Sequence, residues 1–115
     1  MQSQNLQVEH RTEPWGVLLT VRGSAAVADI PALERHVNPI VASKPALLVI
    51  DVSDMVFISS LGIGVFISLH RGLRPEGRVR IAGANAEVQS VFDRSRFSAV
   101  VPLFPTVEDA IREPV

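Results

Sequence analysis

The sequence predicts a single α/β domain in which helices pack against one mixed β-sheet. Its 115 residues are 47% hydrophobic and 20% charged, the size and composition of one globular domain spanning residues 1–115. Short runs that are apolar throughout, or that alternate between apolar and polar residues, are typical of strands, and along the chain they alternate with segments of helical periodicity. Residues 46–51 are apolar at every position before the final aspartate, as in a parallel strand that helices cover on both faces. The predicted order of elements is β-β-α-β-α-β-α-β-α.

The first two strands are predicted to form a hairpin. Residues 5–12 alternate between apolar and polar side chains, which indicates a strand with one wet face. The turn signal Pro-Trp-Gly at residues 14–16 separates this run from a more apolar strand at residues 17–22. Trp15, in that turn, is interpreted as a cover for one end of the core.

The first helix is expected to begin at Asp29, whose side chain can cap free backbone N–H groups. Apolar residues at helical spacing continue from Ile30 to Val41. Pro39 lies inside this pattern, and an interior proline removes a backbone hydrogen bond and crowds the preceding turn. We therefore expect a kink or a break into two short helices, with the end at residues 44–45.

The second half continues the alternation of helices and strands. A helix is predicted over about residues 60–74, followed by a turn at residues 75–77. In the next strand Val79 and Ile81 share one face with Arg78 and Arg80 on the other, a pattern that favours an edge or half-exposed strand.

The last elements are recognised by their capping residues. Asn85 is predicted to cap a third helix with a buried stripe at Val88, Val91 and Phe92. A short strand is predicted at residues 99–104. Thr106, with a carboxylate three residues later, indicates a final helix that runs to about residue 112.

Charge and composition exclude several classes of function. Eleven basic and twelve acidic residues give a net charge of −1, which leaves no electrostatic footprint for nucleic acid or an anionic membrane. The absence of cysteine excludes disulfides and thiol chemistry. Residues 1–10 lack the basic start and apolar centre of a signal peptide, and no apolar run is long enough to span a membrane. We expect a cytoplasmic protein without membrane insertion or direct nucleic-acid contact.

Metal binding receives little support from the sequence. His10, His36 and His70 fall on three separate predicted elements without the close spacing of metal ligands, so each is interpreted as a surface residue. Asp51 and Asp54 follow a strand end, where α/β proteins place magnesium. The preferred interpretation is that these two carboxylates cap loop amides.

Nucleotide binding and hydrolysis are also weakly supported. Gly62 and Gly64 form only a fragment of a phosphate-binding loop, because the lysine and the remaining glycines are missing. No Gly-x-Ser-x-Gly elbow is present, and nothing selects one histidine as the base for a serine nucleophile. The sequence thus predicts neither an enzyme nor a cofactor.

The remaining candidate functional groups are the hydroxyls of Ser59 and Ser60, at the junction between the third predicted strand segment and the second helix. From spacing alone, the simpler interpretation is that one of them is an N-cap, worth about 1 kcal/mol. The alternative is a regulatory phosphate acceptor at a helix N-terminus.

The chain resembles the STAS domain of anti-sigma factor antagonists, the family of the stage II sporulation antagonist. Three patterns carry the resemblance, together with the order of elements over nearly the whole chain. Residues 48–53 (Leu-Val-Ile-Asp-Val-Ser) are similar to the family's apolar strand ending in Asp-Leu-Ser. Residues 57–64 (Phe-Ile-Ser-Ser-Leu-Gly-Ile-Gly) are similar to its Phe-Ile-Asp-Ser-Ser-Gly-Leu-Gly segment. Residues 103–110 are similar to its closing strand and helix.

The resemblance implies that Ser60 is the serine phosphorylated by a partner kinase, with Ser59 as the alternative acceptor. Ser59 stands where the family has aspartate, and Leu61 replaces a small residue. The family's Gly-Glu-Leu-Asp after the second strand is Gly-Ser-Ala-Ala here, at residues 23–26, so that its acidic residues are absent.

The implied function is a switchable protein-binding module. The unphosphorylated antagonist binds an anti-sigma factor that is also a serine kinase, releases when phosphorylated, and is reset by a phosphoserine phosphatase; homodimerisation is left open. The predicted partner-binding residues surround the acceptor: Met55, Ser59, Ser60, Leu61, Gly62, Ile63 and Gly64. Phe57 is assigned more readily to the core. Two rival functions remain. One is a constitutive STAS scaffold or accessory subunit of a transporter or signalling assembly. The other is a small enzyme or nucleotide binder that uses Asp51, Asp54 and the glycine pair at positions 62 and 64.

Overall fold

The computed structural model describes residues 5–114 as six strands and four helices. The strands are β1 (Gln7–Glu13), β2 (Gly16–Ala25), β3 (Leu47–Asp51), β4 (Met55–Ile58), β5 (Arg78–Ala82) and β6 (Leu103–Phe104). The helices are α1 (Ile30–Ser43), α2 (Ser60–Leu73), α3 (Ala86–Arg94) and α4 (Val107–Arg112). Two 3-10 turns, Val27–Asp29 and Phe97–Ala99, precede α1 and β6.

One mixed sheet organises these elements, as the sequence predicts. Its strand order is β1-β2-β3-β5-β6, with β1 and β2 antiparallel and the remaining pairs parallel. The short strand β4 pairs with the far end of β2, beyond a register shift between Gly23 and Ser24. The crossovers from β3 through α2 to β5 and from β5 through α3 to β6 make this an α/β domain.

Helices cover both faces of the sheet, which explains why β3 is apolar throughout. Leu48 and Ile50 pack into the larger core beneath α1, α2 and α3, whereas Leu47 and Val49 face a smaller core closed by α4. Trp15 is half-buried and packs against this smaller core, in agreement with its predicted role as a cover. Successive side chains of one strand thus serve two layers.

The strand β4 was not predicted, since the predicted order of elements has no strand between β3 and α2. This strand has four residues, and its burial follows an inside-outside-outside-inside pattern: Met55 and Ile58 are buried and Val56 and Phe57 are exposed. The pattern does not match the period of two of a half-buried strand, and the i, i+3 spacing of its buried residues is that of a helix. Pairing with the distant β2 makes it a strand, and periodicity does not reveal that pairing.

The helix α1 follows Asp29 in the N-cap position, as predicted, but the expected side-chain cap and the expected break at Pro39 were wrong. Asp29 does not cap this helix; its Oδ2 accepts a hydrogen bond from Ala26 N at 3.1 Å and so closes the preceding 3-10 turn. Pro39 does not break the helix, which is continuous from Ile30 to Ser43. Pro39 lies on the exposed side, where water can bind the carbonyl that its missing N–H leaves free. Lys44, in the left-handed conformation, ends the helix as predicted.

The expectation that β5 lies at an edge or is half-exposed was also wrong. The strand lies between β3 and β6, and Arg80 is only 5% exposed. The Arg80 guanidinium donates to the carbonyls of Ala110 (2.8 Å), Glu113 (2.6 Å) and Pro114 (2.9 Å), at the C-terminal end of α4. Free carbonyls at a helix end attract a cation, so this arginine holds α4 against the sheet. The strand predicted at residues 99–104 is reduced to the two residues of β6.

Candidate functional site

The two serines at the start of α2 have different structural roles. Ser59 is the N-cap: its backbone is extended and its Oγ accepts a hydrogen bond from Gly62 N at 3.2 Å. Its backbone also anchors the junction, because Ser59 N donates to Ala25 O at 2.9 Å and Ile63 N donates to Ser59 O at 3.0 Å. Ser59 is half-buried and belongs to the framework of the helix start.

Ser60 is the first residue of α2, and its side chain is exposed. Within the described part of the chain its hydroxyl makes no hydrogen bond. The first backbone N–H groups of a helix lack helical partners and carry the positive end of the helix dipole. The Ser60 hydroxyl is therefore accessible, unengaged and close to groups that favour negative charge.

Exposed apolar side chains lie within three residues of Ser60 in the sequence. Leu61 is 55% exposed and Phe57, in β4, is 48% exposed. Gly64 lies one turn after Ser60 on α2, and a methyl group added there would meet nothing within 4 Å. We call Phe57, Ser60, Leu61 and Gly64 the Ser60 surface. The interpretation of Phe57 as a core residue was wrong, since β4 turns this side chain outward while Met55 and Ile58 fill the core.

Three residues predicted to contact a partner do not lie on this surface. Met55 is fully buried and Ile63 is 8% exposed, because both side chains pack into the larger core. Gly62 is buried as well: a Cβ atom there would approach Ile58 Cγ1 to 2.8 Å and Ala25 Cβ to 3.4 Å. The glycine at position 62 thus permits close packing of α2 on the sheet, not the approach of a partner backbone.

The segment in which this chain departs from the family's acidic pattern adjoins the site. Ala25 ends β2, is buried and pairs with Ile58, and its carbonyl accepts the Ser59 N–H. Ser24 pairs with Phe57. Residues 24–26 therefore border the start of α2 with small, uncharged side chains.

The two loop aspartates are engaged in local contacts. Asp51 Oδ1 accepts hydrogen bonds from Ser53 N at 3.0 Å and Ser53 Oγ at 2.7 Å, which confirms the predicted loop capping. The prediction does not hold for Asp54, whose carboxylate caps no loop amide among the described residues; its Oδ2 lies 3.6 Å from Arg22 Nε. Arg22 also binds Glu9 and lowers the pKa of that carboxyl. Across residues 5–114 no group of three or more His, Asp or Glu side chains is arranged to hold a metal ion.

Two of the histidines lie on separate elements, as predicted, with His10 exposed and His36 half-buried, but they contact each other, which the sequence did not indicate. His10 in β1 and His36 in α1 meet, with His10 Nδ1 3.0 Å from His36 Nε2. The packing of β1 against α1 joins residues that are 26 positions apart. Burial, and secondarily the charge of His10, lowers the pKa of His36.

His70, on α2, is half-buried, and its Nδ1 is buried without a hydrogen-bond partner among residues 5–114. Burial is the main cause that lowers its pKa, and the charges of Arg74, Arg71 and Arg78 lower it further. A neutral imidazole is therefore favoured at this end of α2.

The fold and the Ser60 surface define a small α/β module with an exposed serine at a helix start. The sequence profile of the STAS domain family matches residues 5–110, so this chain belongs to the STAS domain family. No curated protein matches the sequence. Of the helices in residues 5–114, none combines the length and apolar character needed to cross a bilayer.

Solved structures share this fold at low sequence identity. An anti-sigma factor antagonist from Mycobacterium paratuberculosis is 23% identical with a TM-score of 0.88, covering 94% of this chain and 92% of its own. The unphosphorylated anti-sigma factor antagonist SpoIIAA is 18% identical with a TM-score of 0.75 and covers 93% of both chains. The STAS domain of a SulP transporter from Vibrio cholerae is 19% identical with a TM-score of 0.61, covering 80% of this chain and 74% of its own. These similarities establish the fold, which antagonists and a transporter domain share.

Proposed function

We propose that this protein is an anti-sigma factor antagonist whose binding to an anti-sigma factor with serine kinase activity is controlled by phosphorylation of Ser60. The observation that carries the proposal is the exposed, unengaged Ser60 hydroxyl at the start of α2, beside the exposed side chains of Phe57 and Leu61. Membership of the STAS family and the similarity to antagonist structures support it. In this role the chain is a binding protein and not an enzyme, and it works in the cytoplasm.

Ser60 is preferred over Ser59 because of their different engagement. Ser59 Oγ is held by the Gly62 N–H and is half-buried, so a kinase would have to break the cap to reach it. Ser60 needs no such rearrangement. Accessibility and a free hydroxyl are what phosphoryl transfer to a folded protein requires.

The helix start accounts for a switch without refolding. A phosphoserine carries a charge of about −1.5 to −2, which the helix dipole and nearby N–H groups stabilise. The same charge between two proteins must be desolvated next to Phe57 and Leu61, which favours dissociation. Phosphorylation therefore leaves the fold intact and weakens the complex, and a phosphoserine phosphatase restores binding.

The test compares Ser60→Ala and Ser60→Asp as baits in pull-downs from the native cell extract, with mass spectrometry of captured proteins and of the phosphorylation site. Ser60→Ala should capture an anti-sigma factor kinase and remain unmodified, whereas Ser60→Asp should capture much less. Ser68, exposed later in α2, supplies the matched control, because Ser68→Asp places the same charge on the same helix and should leave capture unchanged. A phosphate mapped to another residue, or equal capture by both Ser60 baits, would contradict the proposal.

A constitutive scaffold or transporter-associated module is the second candidate. It is favoured by the small uncharged residues 24–26 beside the site and by the fold shared with the SulP transporter domain. A scaffold would bind its partner equally as Ser60→Ala and Ser60→Asp, and would co-purify with a membrane transporter. Nucleotide-dependent thermal stabilisation without a partner would instead favour a nucleotide binder, although Asp51 and Asp54 already have partners.

A further inference from the structure

A groove between β4 and α3 adjoins the Ser60 surface, with which it shares Phe57. It is open, has a volume of about 390 Å³, and is lined on the β4 side by Val56 and Phe57, which are 46% and 48% exposed. Val91 contributes to the α3 side, and Glu87 and Arg94 stand near the two ends of that helix. The groove thus has an apolar wall on the β4 side and one charge of each sign on the α3 side.

The charges on α3 follow a self-complementary pattern. Glu87, Ser90, Val91 and Arg94 occupy positions i, i+3, i+4 and i+7, so they form one stripe along the helix. Glu87 has no ion pair or hydrogen bond among the described residues, and Arg94 Nη1 donates only to Ser90 Oγ, at 2.9 Å. The midpoint of the two charges falls between Ser90 and Val91. A second α3 running antiparallel about this midpoint would meet each charge with the opposite one.

We propose that this groove is the contact surface of a homodimer in which two α3 helices lie antiparallel about a two-fold axis beside Ser90 and Val91. Glu87 of each copy faces Arg94 of the second copy, which gives two ion pairs, and the apolar walls formed by Val56 and Phe57 lose contact with water. An isologous two-fold contact requires a surface that complements itself, and the stripe of charges on α3 meets this requirement. The contact is small, so a dissociation constant in the micromolar range is expected.

Charge reversal tests the pairing directly, by analytical ultracentrifugation of the unphosphorylated protein without any partner. Glu87→Arg and Arg94→Glu each place two like-charge contacts in the dimer and should raise the dissociation constant about tenfold or more. The double variant restores opposite charges and should dimerise with nearly wild-type affinity. Glu108→Arg is the matched control, since Glu108 is the second residue of α4, as Glu87 is of α3, on the opposite face of the sheet. A monomeric wild type, a single reversal without effect or a double variant that stays dissociated would each overturn the proposal.

A cysteine cross-link tests the position of the axis. The chain contains no cysteine, so Ser90→Cys introduces a single thiol beside the proposed axis. Oxidation at micromolar concentration should give a disulfide-linked dimer, because two thiols across a two-fold axis can reach the short separation that the bond requires. Ser68→Cys, exposed on α2, is the control and should stay monomeric under the same conditions. Equal cross-linking of the two variants would refute this arrangement, and far-UV circular dichroism verifies that each variant is folded.

Discussion

Replacing Ser59 or Ser60 by alanine is expected to separate the structural serine from the regulatory one. Ser59→Ala removes the Oγ that accepts the Gly62 N–H at 3.2 Å and leaves one N–H at the start of α2 without its cap. The loss of such a cap costs about 1 kcal/mol. Ser60→Ala removes a hydroxyl that has no hydrogen bond within the described chain, so its cost should fall within about 0.5 kcal/mol.

These free energies translate into melting temperatures. An unfolding entropy of about 2.1 cal/mol/K per residue amounts to about 0.24 kcal/mol/K for 115 residues. Ser59→Ala should therefore lower the Tm by about 4 °C, whereas Ser60→Ala should shift it by less than about 2 °C.

Calorimetric melts of the two variants measure this difference. Thr106→Ala is the control for the loss of an N-cap elsewhere, because Thr106 Oγ1 accepts the Asp109 N–H at 3.1 Å at the start of α4. It should lower the Tm about as much as Ser59→Ala does. If Ser60→Ala lowers the Tm as much as Ser59→Ala, Ser60 is part of the cap and the division of roles is refuted.

Three further predictions concern the framework around the site. Arg80→Met should lower the free energy of unfolding by about 3 kcal/mol in urea titrations, because three carbonyls at the end of α4 lose a buried charged donor; a loss below about 1 kcal/mol would contradict this. Gly64→Ala should raise the Tm, because alanine is favoured over glycine in a helix by about 0.5–1 kcal/mol and the added methyl group meets nothing. Gly62→Ala should lower the Tm, because its methyl group would collide with the core. A higher Tm for Gly62→Ala than for Gly64→Ala would refute this. Burial lowers the pKa values of His36 and His70 below 6.5, so the unfolded chain binds more protons than the folded one in acid. The free energy of unfolding should therefore be constant above about pH 7.5 and fall as the pH drops through about 6.5. A His36→Gln/His70→Gln variant whose free energy of unfolding depends on pH as steeply as that of the wild type would contradict this.

Sequence patterns were most reliable where the responsible contacts are local. The start of α2 at Ser60, the Asn85 cap that accepts the Val88 N–H, and the Thr106 cap of α4 all match the predictions. Each of these hydrogen bonds spans three residues, so a short stretch of sequence contains both partners. The apolar character of β3 was equally informative, because a strand covered on both faces has no solvent-facing side and therefore favours apolar residues at successive positions.

The errors and omissions arose where an element distant in the sequence determines the burial or the partner of a side chain. Arg80 alternates with apolar residues like a solvent-facing side chain, yet it is buried and donates to carbonyls 30 to 34 positions away. His10 and His36 are brought together by the packing of β1 on α1. Phe57 is turned outward because β4 pairs with β2 and points Met55 and Ile58 into the core.

At the Ser60 site, too, some features follow from local sequence and others from tertiary contacts. By itself the sequence determined a strand-to-helix junction with two hydroxyls and, through its resemblance, the STAS family, which the match over residues 5–110 confirms. Only the tertiary structure decided that Ser59 is the cap, that Ser60 is free, that Met55 and Gly62 are internal, and that Phe57 and Leu61 are exposed. The reason is physical: capping and periodicity act within a few residues, whereas the exposure of a side chain depends on every element that the fold packs around it.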